Sequence, residues 1–317
     1  MFNQLQKTRF IEEYTASISS RKKAAVLFER FAPIEEAKGT DIITFDDRDL
    51  TAALETVLVG YRRGSLSSPM RLLKQYYQWC VDNFVTGVSD AITRVTPDFQ
   101  EVEQMSRSSV RNPAHLNVLL DRVFDPEEYG TADEILRGYL WAAFIGIPED
   151  LTEILTEGDV DPNGMSVLAG GVLYPTYREG IQSLLFCRNA TVIRRLHPLG
   201  GHGVTYIDKP RAPGNLLFRT SGDGMVDMVG HLRTRVAKRV GSARERGIID
   251  VRLAYNRVRM SGQFYRAYEM ENAGLEPNIH DIEVANRKPD TDYTEKAATV
   301  RRSEIKRDYN IWKKTLV

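Results

Sequence analysis

Through the first 90 residues, apolar side chains return at helical spacing and turn chemistry divides the pattern. Phe2, Leu5, Phe10, Ile11 and Tyr14 mark a helix over 2–16. Residues 17–20 break it. Ser19 or Ser20 is placed to cap a second helix over 21–37, where Ala24, Leu27, Phe28 and Phe31 share a face. Residues 39–45 read as extended chain, and Asp46 or Asp47 caps a third helix running to 62. The stretch GSLSSP at 64–69 reads as a turn with Pro69 in the first turn of a fourth helix, the strongly amphipathic MRLLKQYYQWCVDNFV. A helix with one apolar stripe must bury it against another element, so 1–90 is expected to form a compact helical module.

A chain of 317 residues has room for a second module, given the usual ~100–200 residues per domain. Residues 91–112 are polar, with Ser106, Ser108 and Ser109, and read as the connection, leaving 113–317 as the second domain. Helices are expected there at 114–123, 131–145, 148–157, 175–188, 224–240 and 248–272, the last stopped by Gly274, with a charged tail helix over 295–316. The stretch 164–212 is richer in Gly and Pro and holds β-like runs such as 203–207, while 216–219 reads as a short strand or a turn. The fold class is therefore mostly α, of the α+β kind, with a small β element.

Several functions are disfavoured. The two cysteines, Cys80 and Cys187, are far apart and match neither a disulfide framework nor a zinc site. H-E-x-x-H, C-x-x-C, G-x-S-x-G and P-loop spacings do not occur, so no metal or cofactor is expected. The Gly200–Gly203 loop around His202 lacks the dinucleotide spacing and reads as a structural turn; His197 and His231 read as packing or surface residues. No apolar stretch approaches the roughly 20 residues of a membrane span, and the polar N-terminus is not a signal peptide, so a cytoplasmic protein is expected.

Formal net charge is zero, but it is unevenly spread: from Arg188 to Arg266 there are 14 arginines and 2 lysines against 5 acids. The bias to Arg suits phosphate and base contacts, although a solvated basic surface would look the same. Within this region the 248–272 helix puts Arg252, Tyr255, Arg259, Gln263 and Arg266 on one face, spread along ~21 Å at 1.5 Å per residue. Leu253, Ala254, Val258, Phe264, Tyr265 and Tyr268 lie opposite and would dock on the domain, with Arg257 turned toward them as a paired internal residue. Arg and Gln can read guanine and adenine edges in a major groove. Gly262 within this helix costs roughly 1 kcal/mol, which implies close approach of another backbone there.

The stretch from Gly146-Ile147-Pro148-Glu149 to Leu155 and Asp159-Val160 resembles the first catalytic box of tyrosine recombinases, G-l-R-x-x-E-l-x-x-L-x-x-x-D-i. Pro148 stands where that box carries its arginine. No histidine here is followed by Arg three residues on, as the family's second box, H-x-x-R, requires. Tyr309 in Asp308-Tyr309-Asn310-Ile311-Trp312-Lys313 occupies the nucleophile's place, without the Gly-His that normally precedes it. A tyrosine attacking a phosphodiester needs cationic donors on the phosphate and an acid or base at the leaving oxygen. Tyr309 thus reads as a relic, with no catalytic residue assigned.

Within this superfamily the chain resembles the MrpR-type repressors of lytic development in SPbeta-like phages. The likeness is carried by Leu216-Leu217-Phe218-Arg219, by Met260-Ser261-Gly262-Gln263-Phe264-Tyr265-Arg266, by Asp308-Tyr309 with Trp312-Lys313, and by Tyr77-Gln78-Trp79-Cys80 in a SAM-like core-binding domain. It implies an integrase-like fold that clamps a double-stranded DNA operator and represses by occupying it, in the nucleoid of a bacterial host. Self-association and a phage antirepressor are further implied partners. Two alternatives remain: an active recombinase using Tyr309, and a regulator of an integrase acting through protein contacts. Expected DNA contacts are Arg252, Arg259, Gln263 and Arg266 on the helix face. Arg194, Arg195, Lys209, Arg211 and Arg219 are expected in the basic loops. Arg21, Lys22 and Lys23 are expected at a helix N-terminus, and Arg62, Arg63 and Lys74 beside the Ser-rich turn.

Overall fold

The computed structural model describes residues 2–14, 18–58, 63–95, 101–125, 130–198, 204–219, 228–287 and 294–316. The chain divides into two compact units, Met1–Gln104 and Met105–Val317. The division differs from the expected one. Ala91 and Ile92 are buried in the first unit's core, whereas Ser108, Ser109 and Val110 are buried in the second unit. Ala91 and Ile92 at one end of the expected connection, and residues 108–110 towards the other, are thus packed into cores.

The first unit contains α1 (Gln4–Tyr14), α2 (Ile18–Lys38), α3 (Asp47–Val57), α4 (Arg63–Asp82) and the single turn α5 (Ala91–Arg94). Phe10, Leu27, Phe28, Phe31, Leu50, Leu54, Leu73 and Tyr76 meet in one core, with Phe10, Phe28 and Tyr76 ring to ring. Three expectations change. Helix α2 begins at Ile18, so Ser19 and Ser20 lie inside it rather than capping it. Residues 42–44 form a 3-10 turn instead of extended chain, because Asp41 accepts from the Ile43 amide and caps it. Residues 64–69 are helical, with Pro69 inside α4; that ring removes one backbone hydrogen bond, but Pro69 is buried, and packing offsets the loss. Asp46 caps α3 by accepting from the Asp49 amide. At the centre of the unit the buried Lys7 ammonium contacts Glu35, Asp41 at 3.2 Å and the Phe2 carbonyl at 2.9 Å, tying α1 to α2. The Glu35 carboxyl is pushed up by burial, against the pull of Lys7.

In the second unit, following α6 (Glu101–Ser106), which crosses the division, lie α7 (Pro113–Val123), α8 (Ala132–Phe144), α9 (Arg178–Asn189), α10 (Met228–Glu245), α11 (Tyr255–Asn272), α12 (Ile279–Ala285) and α13 (Glu295–Lys313). Helix α8 is the axis: Ile135, Leu136, Tyr139, Leu140, Trp141 and Phe144 are all fully buried. Strands β1 (Val160–Asp161), β2 (Ser166–Ala169) and β3 (Val172–Pro175) form a small antiparallel sheet in the order β1-β2-β3, with Val167 paired to Val160 and Tyr174. Strands β4 (Val192–Pro198) and β5 (Val204–Pro210) form a separate antiparallel ribbon. The helix expected over 148–157 is replaced by 3-10 turns at Asp150–Glu153 and Glu157–Asp159, and 216–219 contributes an isolated bridge from Leu216 to Thr156. A second core, of Phe264, Ala267, Ile282, Ile305, Tyr309 and Trp312, docks α12 and α13 on α11.

Candidate nucleic-acid interface

The helix expected over 248–272 starts at Tyr255, so Arg252 precedes it in extended chain. Arg259, Gln263 and Arg266 share a face as expected, but Arg259 is buried, the other two are half-buried, and all three bond within the protein. Arg259 is buried; its Nε donates to the Gly146 carbonyl at 3.0 Å, and its other nitrogens donate to the Ala285 carbonyl at 2.7 Å and Asn286 Oδ1 at 3.3 Å. Burial pulls its pKa down. Gln263 Oε1 accepts from Asn286 Nδ2 at 2.8 Å, and Arg266 donates to the Pro175 carbonyl at 2.7 Å. The Tyr255 hydroxyl, on the same face, donates to the Ile147 carbonyl at 3.0 Å. These side chains form a seam that satisfies carbonyls at the turn after α8, at the end of β3 and at the end of α12. Of the expected DNA contacts, Arg259, Gln263 and Arg266 are thus engaged in bonds within the second unit.

The opposite face is covered as well, by Val258, Phe264 and Ala267. At Gly262 a Cβ would lie 1.8 Å from the Phe144 carbonyl oxygen, which is the close backbone approach expected from the sequence. Arg257 is half-buried.

The basic loop residues divide three ways. Arg211 is buried and donates to the carbonyls of Arg188, Ala190, Leu216 and Leu217, with Glu157 at 3.3 Å; desolvation lowers its pKa. Arg219 pairs with the same Glu157. Both brace the 211–219 segment through bonds within the second unit. Arg194 and Lys209 are exposed on the β4–β5 ribbon. Arg194 opposes Asp208 in the register and bonds it at 2.8 Å, its guanidinium 5.9 Å from the Tyr206 ring centre. Lys209 opposes Ile193, one residue along, so it lies on the other face of the ribbon. The side chain of Arg195, like His202 and its glycine loop, lies outside the described residues.

In the first unit Arg21, Lys22 and Lys23 are exposed. Because α2 starts at Ile18, they occupy the end of its first turn and the start of the next, rather than its cap. Lys74 is exposed on α4; Arg62 and the side chain of Arg63 lie outside the described residues.

The structure also gathers cations that sequence reasoning missed. The Arg252 amide donates to the Arg107 carbonyl at 2.9 Å, bringing 252 beside the segment before α7. Arg111 and Arg122 both act on His115, and Arg107, Arg111, Arg122 and Arg252 are all exposed. The His115 pKa is lowered by burial and then by Arg111, and its Nδ1 accepts from the Arg111 amide at 3.1 Å. Helix α10 adds exposed Lys238, Arg244 and Arg233, the last bonded to Glu149 at 3.0 Å; its Arg235 and Arg239 turn inward onto the fully buried Asp133. Arg107, Arg111 and Arg122 fall outside the basic run, and the fold brings Arg107 beside Arg252 and sets Arg111 and Arg122 to act on His115.

Tyr309 is buried against Phe264 and Trp312. Its hydroxyl donates to Glu271 Oε2 at 2.6 Å, and Lys313 bonds both oxygens of that carboxylate at 2.8 Å. Burial, and then the adjacent carboxylate, push the phenol pKa up, which disfavours the phenolate. The Trp312 indole donates to the Val110 carbonyl at 3.0 Å, fixing α13 to the segment before α7.

Among the described residues no group of His, Cys, Asp and Glu could hold a metal ion, and no helix is long and apolar enough to cross a membrane. No curated protein matches the chain. Residues 1–82, which end with the last residue of α4, match the family model of the MrpR N-terminal core-binding domain.

Proposed function

We propose that this chain is a sequence-specific double-stranded DNA-binding transcriptional repressor that maintains phage lysogeny by occupying an operator. In this reading it retains a degenerate integrase fold, cuts nothing, and works in the bacterial cytoplasm on the nucleoid. The match of residues 1–82 to the MrpR core-binding domain carries the reading. The exposed cations of the second unit support it: Arg107, Arg111 and Arg252 near the start of α7, Arg122 in its last turn, and Arg194 and Lys209 on a two-stranded ribbon, an element that some DNA-binding proteins lay in a groove. The absence of cleavage is supported by Pro148 at the arginine's place and by a Tyr309 hydroxyl held by Glu271. Self-association on the operator and release by a phage antirepressor complete the proposal.

The test is capture of host and prophage DNA on the purified protein, followed by sequencing. A recurring operator motif is expected. Nicked suicide duplexes carrying that motif are expected to yield no covalent protein–DNA adduct. An adduct that disappears in Tyr309→Phe would establish a recombinase instead.

A further inference from the structure

Between α7, α8 and α9, within the second unit, a largely polar cavity of about 260 Å³ opens to solvent. It is slightly smaller than the roughly 300–1,000 Å³ of pockets for drug-sized ligands and suits a group the size of one side chain. Arg137 forms part of its wall. Its Nη2 donates to Asp121 at 2.6 Å and reaches Asn117 at 3.5 Å, while its buried Nε lies 3.4 Å from Glu134 without a hydrogen bond. The Arg137 charge is therefore already matched by two carboxylates. Glu179, in the first turn of α9, adds a third. The side chains of Glu179 and Gln182, one turn apart on α9, have no hydrogen-bond or ion-pair partner among the described residues. The site thus holds surplus negative charge and unused acceptors. Burial pushes the Glu134 carboxyl up despite Arg137, and nearby Asp121 and Asp133 push it the same way, so an added cation would relieve strain on that carboxylate. Phe186 borders the same cavity.

We propose that this cavity is a receptor for a guanidinium group, supplied by a free small molecule or by an arginine side chain of a protein partner. A guanidinium is flat, bonds carboxylates through paired N–H groups, stacks on aromatic faces and sheds water more readily than an ammonium. Glu179 and Gln182 provide the open acceptors, Glu134 a half-buried charge, and Phe186 the ring. Nothing in this argument depends on DNA binding.

The test is calorimetric titration of the full chain with agmatine and with doubly capped arginine, using putrescine and doubly capped lysine as ammonium controls. Saturable binding of at least one guanidinium compound is expected, tighter than its ammonium counterpart. Binding of agmatine alone assigns a small-molecule ligand, and binding of capped arginine alone assigns a partner's side chain. E179Q, which removes a charge with no hydrogen-bond or ion-pair partner among the described residues, is expected to weaken binding about tenfold or more, as for loss of one charged hydrogen bond. The proposal is overturned if neither guanidinium compound saturates, if the ammonium controls bind equally well, or if E179Q binds like the native chain.

Discussion

Arg252 and Arg259 lie on one face of an ideal helix, yet they do different work. Arg252 is exposed and precedes α11, whereas Arg259 is buried and satisfies two carbonyls. An unpaired buried polar group costs about 1–3 kcal/mol, so Arg259→Ala is expected to lower unfolding stability by about 2–5 kcal/mol in urea titrations. Arg252→Ala is expected to leave stability within about 0.5 kcal/mol and to weaken DNA binding. A phosphate contact would show as uniform loss across sequences and a salt slope smaller by about one. If Arg259→Ala is as stable as native and loses only DNA affinity, the buried seam is wrong. The sequence did hold a signal against the outward stripe. Gly262 is three residues after Arg259 and four before Arg266, beside both around the helix, so a backbone pressed on Gly262 covers part of the face those two side chains occupy. Periodicity identifies which residues share a face, but it does not identify what covers that face.

At the scale of elements, the long helices were legible because their apolar residues repeat over several turns and an end can carry a stop signal, as Gly274 does after α11. The β1–β3 sheet was not, because strands of 2 to 4 residues are too short to show an alternation. The 64–69 segment misled because Gly, Ser and Pro favour turns, yet it is helical and carries the buried Pro69 into α4. Two predictions belong here. Gly262→Ala would set a methyl against the Phe144 carbonyl, a backbone atom that cannot swing aside, and is expected to destabilise the chain by about 3 kcal/mol or more in the same titrations. The second concerns α13. Lys313 and the Tyr309 hydroxyl lower the pKa of Glu271. A carboxyl whose folded pKa is depressed contributes stability above its unfolded value, and that contribution is lost as pH falls through the folded value. Docking of α13 is therefore expected to weaken in acid, below the ordinary glutamate range, as read by fluorescence of the buried Trp312. Glu271→Gln should remove this pH dependence; an unchanged profile would mean that the clamp does not hold α13.

For the whole molecule, zero net charge hides a division of labour that the sequence only half discloses. The 188–266 run is basic by count, but Arg211, Arg219, Arg235, Arg239, Arg259 and Arg266 turn to carbonyls or carboxylates within the second unit. What is left for a polyanion is a smaller set of exposed cations, including some from outside the run. Each unit has its own core, so a fragment of residues 1–104 is expected to unfold cooperatively by itself, as checked by denaturant titration. We propose that this chain recognises duplex DNA through these cations. The deciding measurement is the affinity of the full chain for its captured operator and for a shuffled duplex across a salt series. Log affinity is expected to fall linearly with log salt for both, with the operator held tighter throughout. Affinity that does not change with salt, or equal affinity for the two duplexes, would contradict it.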